Sequence, residues 1–333
     1  MLNPVYKAHH SPCPTARSPF ETDLIACLEG AIHQISPKYF YDDEGSRLFD
    51  QICGLPEYYV TRTEIGILER DIAAMAACMG ADAEVVEFGA GSLQKAKLLI
   101  DALEQPRRFV AVDISGEHLH RAASQLRNRF PGVDIVPLVE DFTGIDTLSL
   151  PPLLQDSGRR VGFFPGSTLG NFTPIEARSF LKSAARLLAG GGLLIGVDLV
   201  KDPRRLHAAY NDAAGVTAAF NRNLLARANR ELDAGFNLDA FEHYAFYHPV
   251  LQRMEMHLIC LEPQHVCVGG REFVLQAGES IHTENSHKYT VEGFQALAKD
   301  CGFLPKAVWL DPDRLFSVHW LASPRTHGKG EVQ

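Results

Sequence analysis

The chain has 333 residues, of which 46% are hydrophobic and 22% charged, a composition that allows a globular protein to bury a large core. Its formal net charge is -9 and its lysines and arginines form no run, which argues against a surface that binds nucleic acid or an anionic membrane. No apolar stretch could cross a bilayer and residues 1–20 lack the apolar core of a signal peptide, so we expect a cytoplasmic protein with a small-molecule partner.

The placement of cysteine and histidine argues against a metal site. The seven cysteines are an odd number, widely spaced and without a CxxC pair, which is typical of reduced thiols. The fourteen histidines are scattered and contain no HExxH motif. We therefore expect no bound metal.

The N-terminal region predicts helices after an irregular start. The first twenty residues are rich in Pro, Ser and His and predict a flexible tail, with order expected from Glu21. From there to Leu68 apolar residues recur at helical spacing, with a break at Pro56, and a further helix is predicted over Glu64–Met79. Four tyrosines lie between or beside these helices: Tyr39, Tyr41, Tyr58 and Tyr59.

Residues 81–200 alternate short apolar strands with amphipathic helices. The strand segments are AEVVEF, RRFVAVDI, DIVPLVED, RVGFFPG and LLIGVDLV. Continuous apolar strands that alternate with helices are typical of a parallel sheet covered on both faces. This region therefore predicts a doubly wound α/β core.

The pattern changes after Lys201. A helix is predicted over Arg204–Glu231, and the segments that follow it indicate an inserted lobe with strands at Glu242–Tyr247, Arg253–Leu261 and Arg271–Leu275. A final helix and two strands are expected to return to the core sheet as its antiparallel edge, at Thr290–Cys301, Lys306–Leu310 and Phe316–Leu321.

A glycine-containing turn follows the first core strand and opens a helix. In Glu87-Phe88-Gly89-Ala90-Gly91-Ser92, the two glycines let the backbone approach a ligand closely, at the sheet edge where α/β proteins bind nucleotide-like ligands. A dinucleotide fingerprint has a third glycine where Gln94 stands. The sequence thus weakens a nicotinamide prediction and leaves the looser E-x-G-x-G of methyltransferases.

Acidic residues end the next two strands. Asp113 ends VAVD, where a carboxylate can accept hydrogen bonds from both ribose hydroxyls. Asp141 and Phe142 end the third strand and can bind the adenine amino group and cover the ring. Each residue alone would suit an ordinary turn or cap, but three such groups at successive strand ends predict an adenosine ligand.

Five long strings resemble the ergothioneine-pathway methyltransferases, the L-histidine Nα-methyltransferases that trimethylate histidine to hercynine. The strings are FYDDEGSRLFDQICGLPEYYVTRTE, EFGAGSLQKAK, PGSTLGNFTP, DLVKDPRRLHAAYNDAAGVTAAFNRNLLARANRELDAGFNLDAFEH and TENSHKY. The resemblance runs from about Tyr39 to the end of the chain. It implies a Rossmann-like class I S-adenosylmethionine (SAM)-dependent methyltransferase core with a second, mixed α+β substrate-binding lobe.

The resemblance also implies how the chain is divided. Residues 1–20 would be a flexible tail, residues 21–61 and 201–287 the substrate-binding lobe, and residues 62–200 and 288–333 the SAM-binding core. The expected cofactor is SAM, with S-adenosylhomocysteine as its product. The expected partners are L-histidine and its mono- and dimethyl forms, bound by a monomer.

The same resemblance implies the residues of the site. Those holding SAM would be Gly89, Gly91, Lys95, Asp113, Asp141 and Phe142. Those surrounding the amino acid would be Tyr41, Phe49, Tyr58, Gly166, Asn171, Tyr210, Met256, Glu284 and Ser286. Tyr58 and Asn171 are the catalytic candidates, because the amine proton could leave through Tyr58 or a water bound to Asn171; it could also leave to solvent during binding, and the identity of the general base stays open.

The residue types suit these roles. Asn171 offers a donor and an acceptor for the amine and the carboxylate, and Tyr210 offers a neutral donor for the carboxylate. Glu284 and Ser286 lie two residues apart on an extended segment, so they face the same way and can bind the imidazole nitrogens. Met256, on an alternating strand, would equally suit an ordinary core position.

Three alternatives stay open. The protein could methylate another amino acid such as tryptophan, against which Glu284 and Met256 argue. It could be a nicotinamide-dependent dehydrogenase, against which Gln94 argues. It could also be a ligand sensor on an inactive methyltransferase fold, although every predicted site residue is chemically competent.

Overall fold

The computed structural model describes residues 17–154 and 158–325. Most of the predicted N-terminal tail therefore lies outside the described residues. The first helix begins at Pro19, two residues before the expected start at Glu21, because the Ser18 hydroxyl accepts a hydrogen bond from the Glu21 amide at 3.1 Å and caps the helix.

Helices and strands alternate along most of the described chain. The helices are α1 Pro19–Glu29, α2 Asp43–Cys53, α3 Tyr59–Met79, α4 Gln94–Ala102, α5 Gly116–Arg129, α6 Pro174–Leu187, α7 Pro203–Tyr210, α8 Val216–Leu232 and α9 Val291–Asp300. The strands are β1 His33–Gln34, β2 Glu84–Phe88, β3 Arg108–Asp113, β4 Asp134–Val139, β5 Arg160–Phe164, β6 Gly192–Asp198, β7 Phe241–His248, β8 Arg253–Cys260, β9 Gln264–Val268, β10 Arg271–Leu275, β11 Ser280–His287, β12 Leu304–Leu310 and β13 Phe316–Ala322. None of these helices combines the length and apolar character that crossing a bilayer would need.

A seven-stranded sheet forms the core, in the order β12-β13-β6-β5-β2-β3-β4. Strands β2 to β6 pair in parallel, and β13 pairs antiparallel with both β6 and β12. Every residue of β2 and β6 is buried, as expected where helices cover both sides of the sheet. The predicted doubly wound α/β core and its antiparallel edge are confirmed.

A second, smaller sheet has the order β1-β11-β8-β7, in which β1 runs parallel to β11 and the other pairs are antiparallel. Helices α7 and α8 pack against it, which confirms a mixed α+β lobe. The exact lobe boundaries stay a prediction. The β9–β10 hairpin forms a separate two-stranded sheet.

The single helix predicted over Arg204–Glu231 is wrong, since α7 ends at Tyr210 and α8 begins at Val216. Between them, the Asp212 carboxylate accepts hydrogen bonds from the amides of Val216 and Thr217, both at 2.8 Å. Such a cap starts a new helix and turns the chain. The helix predicted from Glu64 instead starts at Tyr59.

A glycine in the core sheet makes room for a buried acid from helix α3. A Cβ at Gly196 would lie 2.1 Å from Glu64 Oε1, so only glycine at this point of β6 allows the Glu64 carboxylate to reach the sheet edge. Helix α3 packs against β6, β13 and α4, and it thereby carries Glu64 to the site described next.

Candidate active site

A cavity of about 1000 Å³ opens at the carboxyl ends of the parallel strands, between the core and the lobe that contains the smaller sheet. This volume is at the upper end for small-molecule pockets. All fifteen residues that the sequence predicts for the site line it: Tyr41, Phe49, Tyr58, Gly89, Gly91, Lys95, Asp113, Asp141, Phe142, Gly166, Asn171, Tyr210, Met256, Glu284 and Ser286. The fold therefore brings together residues that are scattered over most of the chain, while their individual roles stay predictions.

The turn after β2 shapes one end of the cavity, which we call the glycine end. Gly89 and Gly91 have φ values of +70° and +50°, a backbone conformation that favours glycine. The Asp113 carboxylate accepts hydrogen bonds from the amides of Gly91 and Ser115, both at 2.9 Å. A Cβ at Gly89 would lie 3.3 Å from the Phe142 ring, so the turn and this ring are closely packed.

Asp141 lies beside this turn and is held by its neighbours. Its Oδ1 accepts hydrogen bonds from the Thr143 amide at 3.0 Å and hydroxyl at 2.6 Å, and its Oδ2 accepts one from Lys38 Nζ at 3.2 Å. Burial raises the pKa of Asp141, but these hydrogen bonds and the Lys38 charge outweigh it and hold the pKa below its usual value. Sequence reasoning did not find Lys38, which comes from the segment before α2.

Lys95 is paired with a buried acid. Its Nζ lies 2.5 Å from Oε2 of Glu64, whose side chain is 1% exposed, and the Gly166 amide donates to both Glu64 oxygens at 3.0 and 2.9 Å. This ion pair ties together α3, α4 and the turn after β5. Glu64 is a second residue that the sequence analysis did not single out.

Glu87 presents an unpaired polar atom to the same end of the cavity. Its Oε2 is buried and has no hydrogen-bond partner among the described residues. Burial raises the pKa of Glu87 well above its usual value, against the lowering effect of Lys95. A buried, unpartnered polar atom that lines a cavity indicates a group that a bound ligand would satisfy.

Aromatic rings form the middle of the cavity. The ring centroids of Tyr41 and Phe49 are 5.7 Å apart, those of Phe49 and Tyr58 6.3 Å, and those of Phe49 and Phe220 6.0 Å. Burial raises the pKa of both tyrosines well above the usual value, so their hydroxyls stay neutral. Phe220, from α8, is a further ring that the sequence analysis missed.

Two more polar side chains line the cavity near these rings. Asn171 ends the short 3₁₀ helix Thr168–Asn171, and its amide makes no hydrogen bond with the described residues. Thr217, in the first turn of α8, has a buried hydroxyl without a partner among the same residues. Both groups are free to bind a ligand, and Thr217 was not predicted.

The opposite end of the cavity, which we call the acid end, is built on β11. Glu284 pairs in register with Met256 of β8, and Ser286 lies two residues further on the same face. Burial raises the pKa of Glu284 to about 7, against the lowering effect of Lys288. The Glu284 carboxylate makes no hydrogen bond within the described parts of the chain.

A buried lysine stands behind the acid end. Lys288 Nζ donates hydrogen bonds to Ser286 Oγ at 2.7 Å and to Tyr210 Oη at 3.1 Å, and it lies 2.9 Å from Asp198 Oδ2. Burial lowers the pKa of Lys288, but Asp198 outweighs it and raises the pKa above its usual value. The strings DLVKDP and TENSHKY contain both residues, but nothing in the sequence shows that Asp198 and Lys288 are in contact.

Asp198 also holds a second lysine and a tyrosine. Lys201 Nζ lies 2.5 Å from Oδ1 of Asp198, and the Tyr59 hydroxyl donates to Oδ2 at 2.7 Å. Burial lowers the pKa of Lys201 to about 8. One carboxylate thus pairs with two buried lysine side chains, of which Lys288 lines the cavity.

One histidine and glutamate cluster in the described residues has the composition of a metal site: Glu255, His257 and His282. Glu255 and His257 alternate on β8 with Met256, so they face away from the cavity. Arg253 already donates to Glu255 Oε1 at 2.8 Å, and the two imidazole rings stack with centroids 4.5 Å apart. The expectation that no metal takes part stays a prediction.

Comparison with known proteins identifies related sequences. The sequence pattern of a family described as histidine-specific, SAM-dependent methyltransferases matches residues 20–323. The chain is 42% identical to a histidine N-alpha-methyltransferase of Mycolicibacterium smegmatis, over 92% of this chain and 95% of that protein. It is 40% identical to the protein of the same name from Mycobacterium tuberculosis, over 87% and 90% of the two chains.

A more distant relative is a 4-dimethylallyltryptophan N-methyltransferase of Aspergillus fumigatus, which is 25% identical over 87% of this chain and 89% of that protein. The match to the family pattern covers nearly the whole described chain, and it includes both sheets and every residue that lines the cavity. The protein belongs to the family of histidine-specific, SAM-dependent methyltransferases.

Proposed function

We propose that the protein transfers three methyl groups, one after another, from SAM to the α-amino nitrogen of L-histidine and so forms hercynine, the first step of ergothioneine biosynthesis. The observation that carries this proposal is the acid end of the cavity, where the unpaired carboxylate of Glu284 lies beside the Ser286 hydroxyl. A carboxylate acceptor and a hydroxyl two residues apart on one face of a strand can together bind the two nitrogens of an imidazole ring.

The residues at the glycine end fit SAM. The positive φ angles of Gly89 and Gly91 allow close backbone approach, and Asp113 is fixed at the end of β3 with its carboxylate in the cavity. The unpartnered Glu87 Oε2 lies in the same region. When bound, SAM supplies a methyl group on a positively charged sulfur, and attack by the amine lone pair on the methyl carbon would break the C–S bond and release S-adenosylhomocysteine.

The acceptor amine must lose its proton, because α-amines have a pKa of ~8 and are largely protonated near neutral pH. Tyr58 cannot serve as a standing phenolate, since burial raises its pKa well above the usual value. Its neutral hydroxyl, like the Asn171 amide, instead orients the amine and a water that carries the proton away. Burial of the ammonium beside the cofactor's positive charge lowers its pKa and favours this loss.

The aromatic rings support successive methylations. As methyl groups replace N–H donors, the product nitrogen loses hydrogen bonds and becomes a permanent cation. The faces of Tyr41, Phe49 and Tyr58 can stabilise such a cation by about 0.5–2 kcal/mol each. A site made of rings can therefore hold the nitrogen as its N–H donors are replaced by methyl groups.

The acid end sets the preference for histidine over an apolar amino acid. An imidazole N–H can donate to Glu284, whereas an apolar side chain would leave this carboxylate desolvated and unpaired. The resemblance to a tryptophan-derivative methyltransferase keeps tryptophan as the second candidate. Glu284 and Met256 both disfavour a large indole.

The proposal includes action as a monomer, in the cytoplasm and without a metal ion. The six cysteines within the described residues are all unpaired, as expected in a reducing compartment. Light scattering of the purified protein tests the oligomeric state.

The decisive experiment offers the pure protein SAM and an equimolar mixture of the twenty amino acids. Mass spectrometry then detects additions of one, two and three methyl groups. We expect a trimethyl product on histidine alone. Methylation of tryptophan instead would contradict the role of Glu284, and methylation of no amino acid would favour a ligand sensor.

A further inference from the structure

The buried ammonium of Lys288 has no hydrogen-bond donor left for a ligand. Its side chain is 1% exposed, and its contacts are Asp198, Ser286 and Tyr210 at 2.9, 2.7 and 3.1 Å. A lysine ammonium carries three N–H groups, so these three acceptors use all of them. Lys288 therefore acts on a ligand through the groups that it holds.

Lys288 decides which way the neighbouring hydroxyls point. The oxygens of Ser286 and Tyr210 both accept from Lys288, so the proton of each hydroxyl must be directed elsewhere. Both residues line the cavity. A hydroxyl proton on this side can therefore be directed into the cavity, which makes this side of the acid end a hydrogen-bond donor.

Glu284 supplies the acceptor on the other side. The titratable groups that face it are Lys288 just after the end of β11, Tyr210 from α7, and Tyr41 and Tyr58 from the N-terminal region. Met256, opposite on β8, is apolar. Lys288 is the cation in this set, and it favours the ionised form of Glu284 against the effect of burial.

We propose that Lys288 is a positioning residue through which the acid end selects the neutral form of an imidazole ring. A neutral imidazole has one N–H, which suits Glu284, and one lone pair, which suits the Ser286 side. An imidazolium ring has two N–H groups and a positive charge. Its second N–H would face the hydroxyl donor on the Ser286 side, and its charge would be repelled by the buried Lys288 ammonium. This inference rests on the proposed function, since it takes histidine as the substrate.

The matched variants are Lys288→Met and Lys201→Met. Both remove a buried ammonium from the same Asp198 carboxylate, but Lys201 does not line the cavity and its other contacts are Tyr59 and the Leu199 carbonyl. Calorimetry with S-adenosylhomocysteine and with histidine measures both ends of the site. We expect K288M to weaken histidine binding about tenfold or more and to change cofactor-product binding less than about twofold. K201M should leave both affinities within about twofold.

A second readout compares two ligands across pH. L-histidine and L-β-(1,2,4-triazol-3-yl)alanine have rings of the same shape, but the triazole stays unprotonated where imidazole gains a proton, near pH ~6.5. Protonation of Glu284 affects both ligands and cancels in the ratio of their affinities. In the wild-type protein, histidine should weaken relative to the triazole as the pH falls from 8 to 5.5. This relative loss should be smaller in K288M, because the fixed donor and the buried charge are gone.

The outcomes separate the possibilities. A wild-type ratio that does not change with pH overturns the selection of a neutral ring, and a K288M variant that behaves like K201M overturns the role of Lys288. If K288M does not fold, Ser286→Ala tests the donor with Lys288 in place, and unchanged histidine affinity contradicts the proposal. Wild-type protein that binds no histidine contradicts this inference and the proposed function together, whereas methylation of histidine with a flat ratio contradicts this inference alone.

Discussion

The two ends of the cavity are built differently. At the glycine end, backbone turns and strand-end residues form the cavity surface. The Gly91 amide after β2, for example, donates to the Asp113 carboxylate at the end of the neighbouring β3. At the acid end, Asp198 from β6, Tyr210 from α7 and Ser286 from β11 meet around the buried Lys288 ammonium.

This difference separates binding from stability. Removing the partly exposed Asp113 carboxylate at the glycine end leaves a gap that water can fill. Removing a charge behind the acid end leaves other charges buried without a partner, which destabilises the fold. We therefore expect the substitution of Asp113 to lower cofactor affinity more than stability. We expect the substitution of a charge behind the acid end to lower stability more than cofactor affinity.

The largest effect is expected for Asp198→Ala. This change leaves the ammonium groups of Lys201 and Lys288 buried without their carboxylate. We expect the free energy of unfolding to fall by about 3–5 kcal/mol, as for other broken buried ion pairs. Urea denaturation measures it, with Asp113→Ala as the control at the glycine end. Equal losses in the two variants would contradict the comparison.

Asp113→Ala should show the reverse behaviour. The carboxylate at the end of β3 is partly exposed and its lost hydrogen bonds can be replaced by water, so we expect little change in stability. Loss of its bonds to ribose hydroxyls should weaken S-adenosylhomocysteine about tenfold to 100-fold. Calorimetry measures this, and unchanged affinity would place the ribose elsewhere in the cavity.

The same difference explains what the sequence could predict. The glycine end follows from a local motif, since a strand, a Gly-containing turn and an acid one strand later have a fixed geometry in any doubly wound sheet. The alternation of strands and helices also predicted the core and its antiparallel edge. Lys38 and Glu64 could not be predicted as site residues, because they reach the site from elements outside this repeat of strands and helices.

The acid end could be predicted only as far as the resemblance reached. Residues such as Glu284 and Tyr210 were named by matching strings, and all of them line the cavity. Lys288 and Asp198 were missed because the contact between them depends on how β11 passes the end of β6. The break between α7 and α8 was missed for a related reason, since the apolar spacing continues through Asp212, which caps the second helix.

A smaller effect is expected for Glu284→Gln, and it should differ in sign between stability and binding. The pKa of Glu284 is raised from 4.5 to about 7 in the folded protein, so ionisation destabilises the fold progressively between these two pH values and by a constant amount above them. The variant should therefore melt higher than wild type at pH 8, by roughly 5 °C, and at the same temperature near pH 4.

In the same variant, histidine binding at pH 8 should weaken about tenfold, since the amide is a poorer acceptor for an imidazole N–H than a carboxylate. Thermal unfolding and calorimetry check the two parts. A variant that binds histidine as wild type does, or that gains no stability at high pH, would show that this carboxylate does not face the ligand site in solution.

The smallest effect is expected for metal removal, which tests whether either end of the cavity depends on a bound metal ion. Methyl displacement by an amine needs positioning and loss of a proton, and the cavity supplies neutral hydroxyls, rings and carboxylates for these tasks. The cluster of Glu255, His257 and His282 lies on the other face of the small sheet, and Arg253 already neutralises its carboxylate. Dialysis against EDTA should therefore leave kcat and both KM values unchanged. If activity were lost and then restored by Zn²⁺, His282→Ala would show whether this cluster acts through β11. The His282 ring lies 3.1 Å from the Glu284 carbonyl oxygen, so it connects that face of the sheet to the acid end.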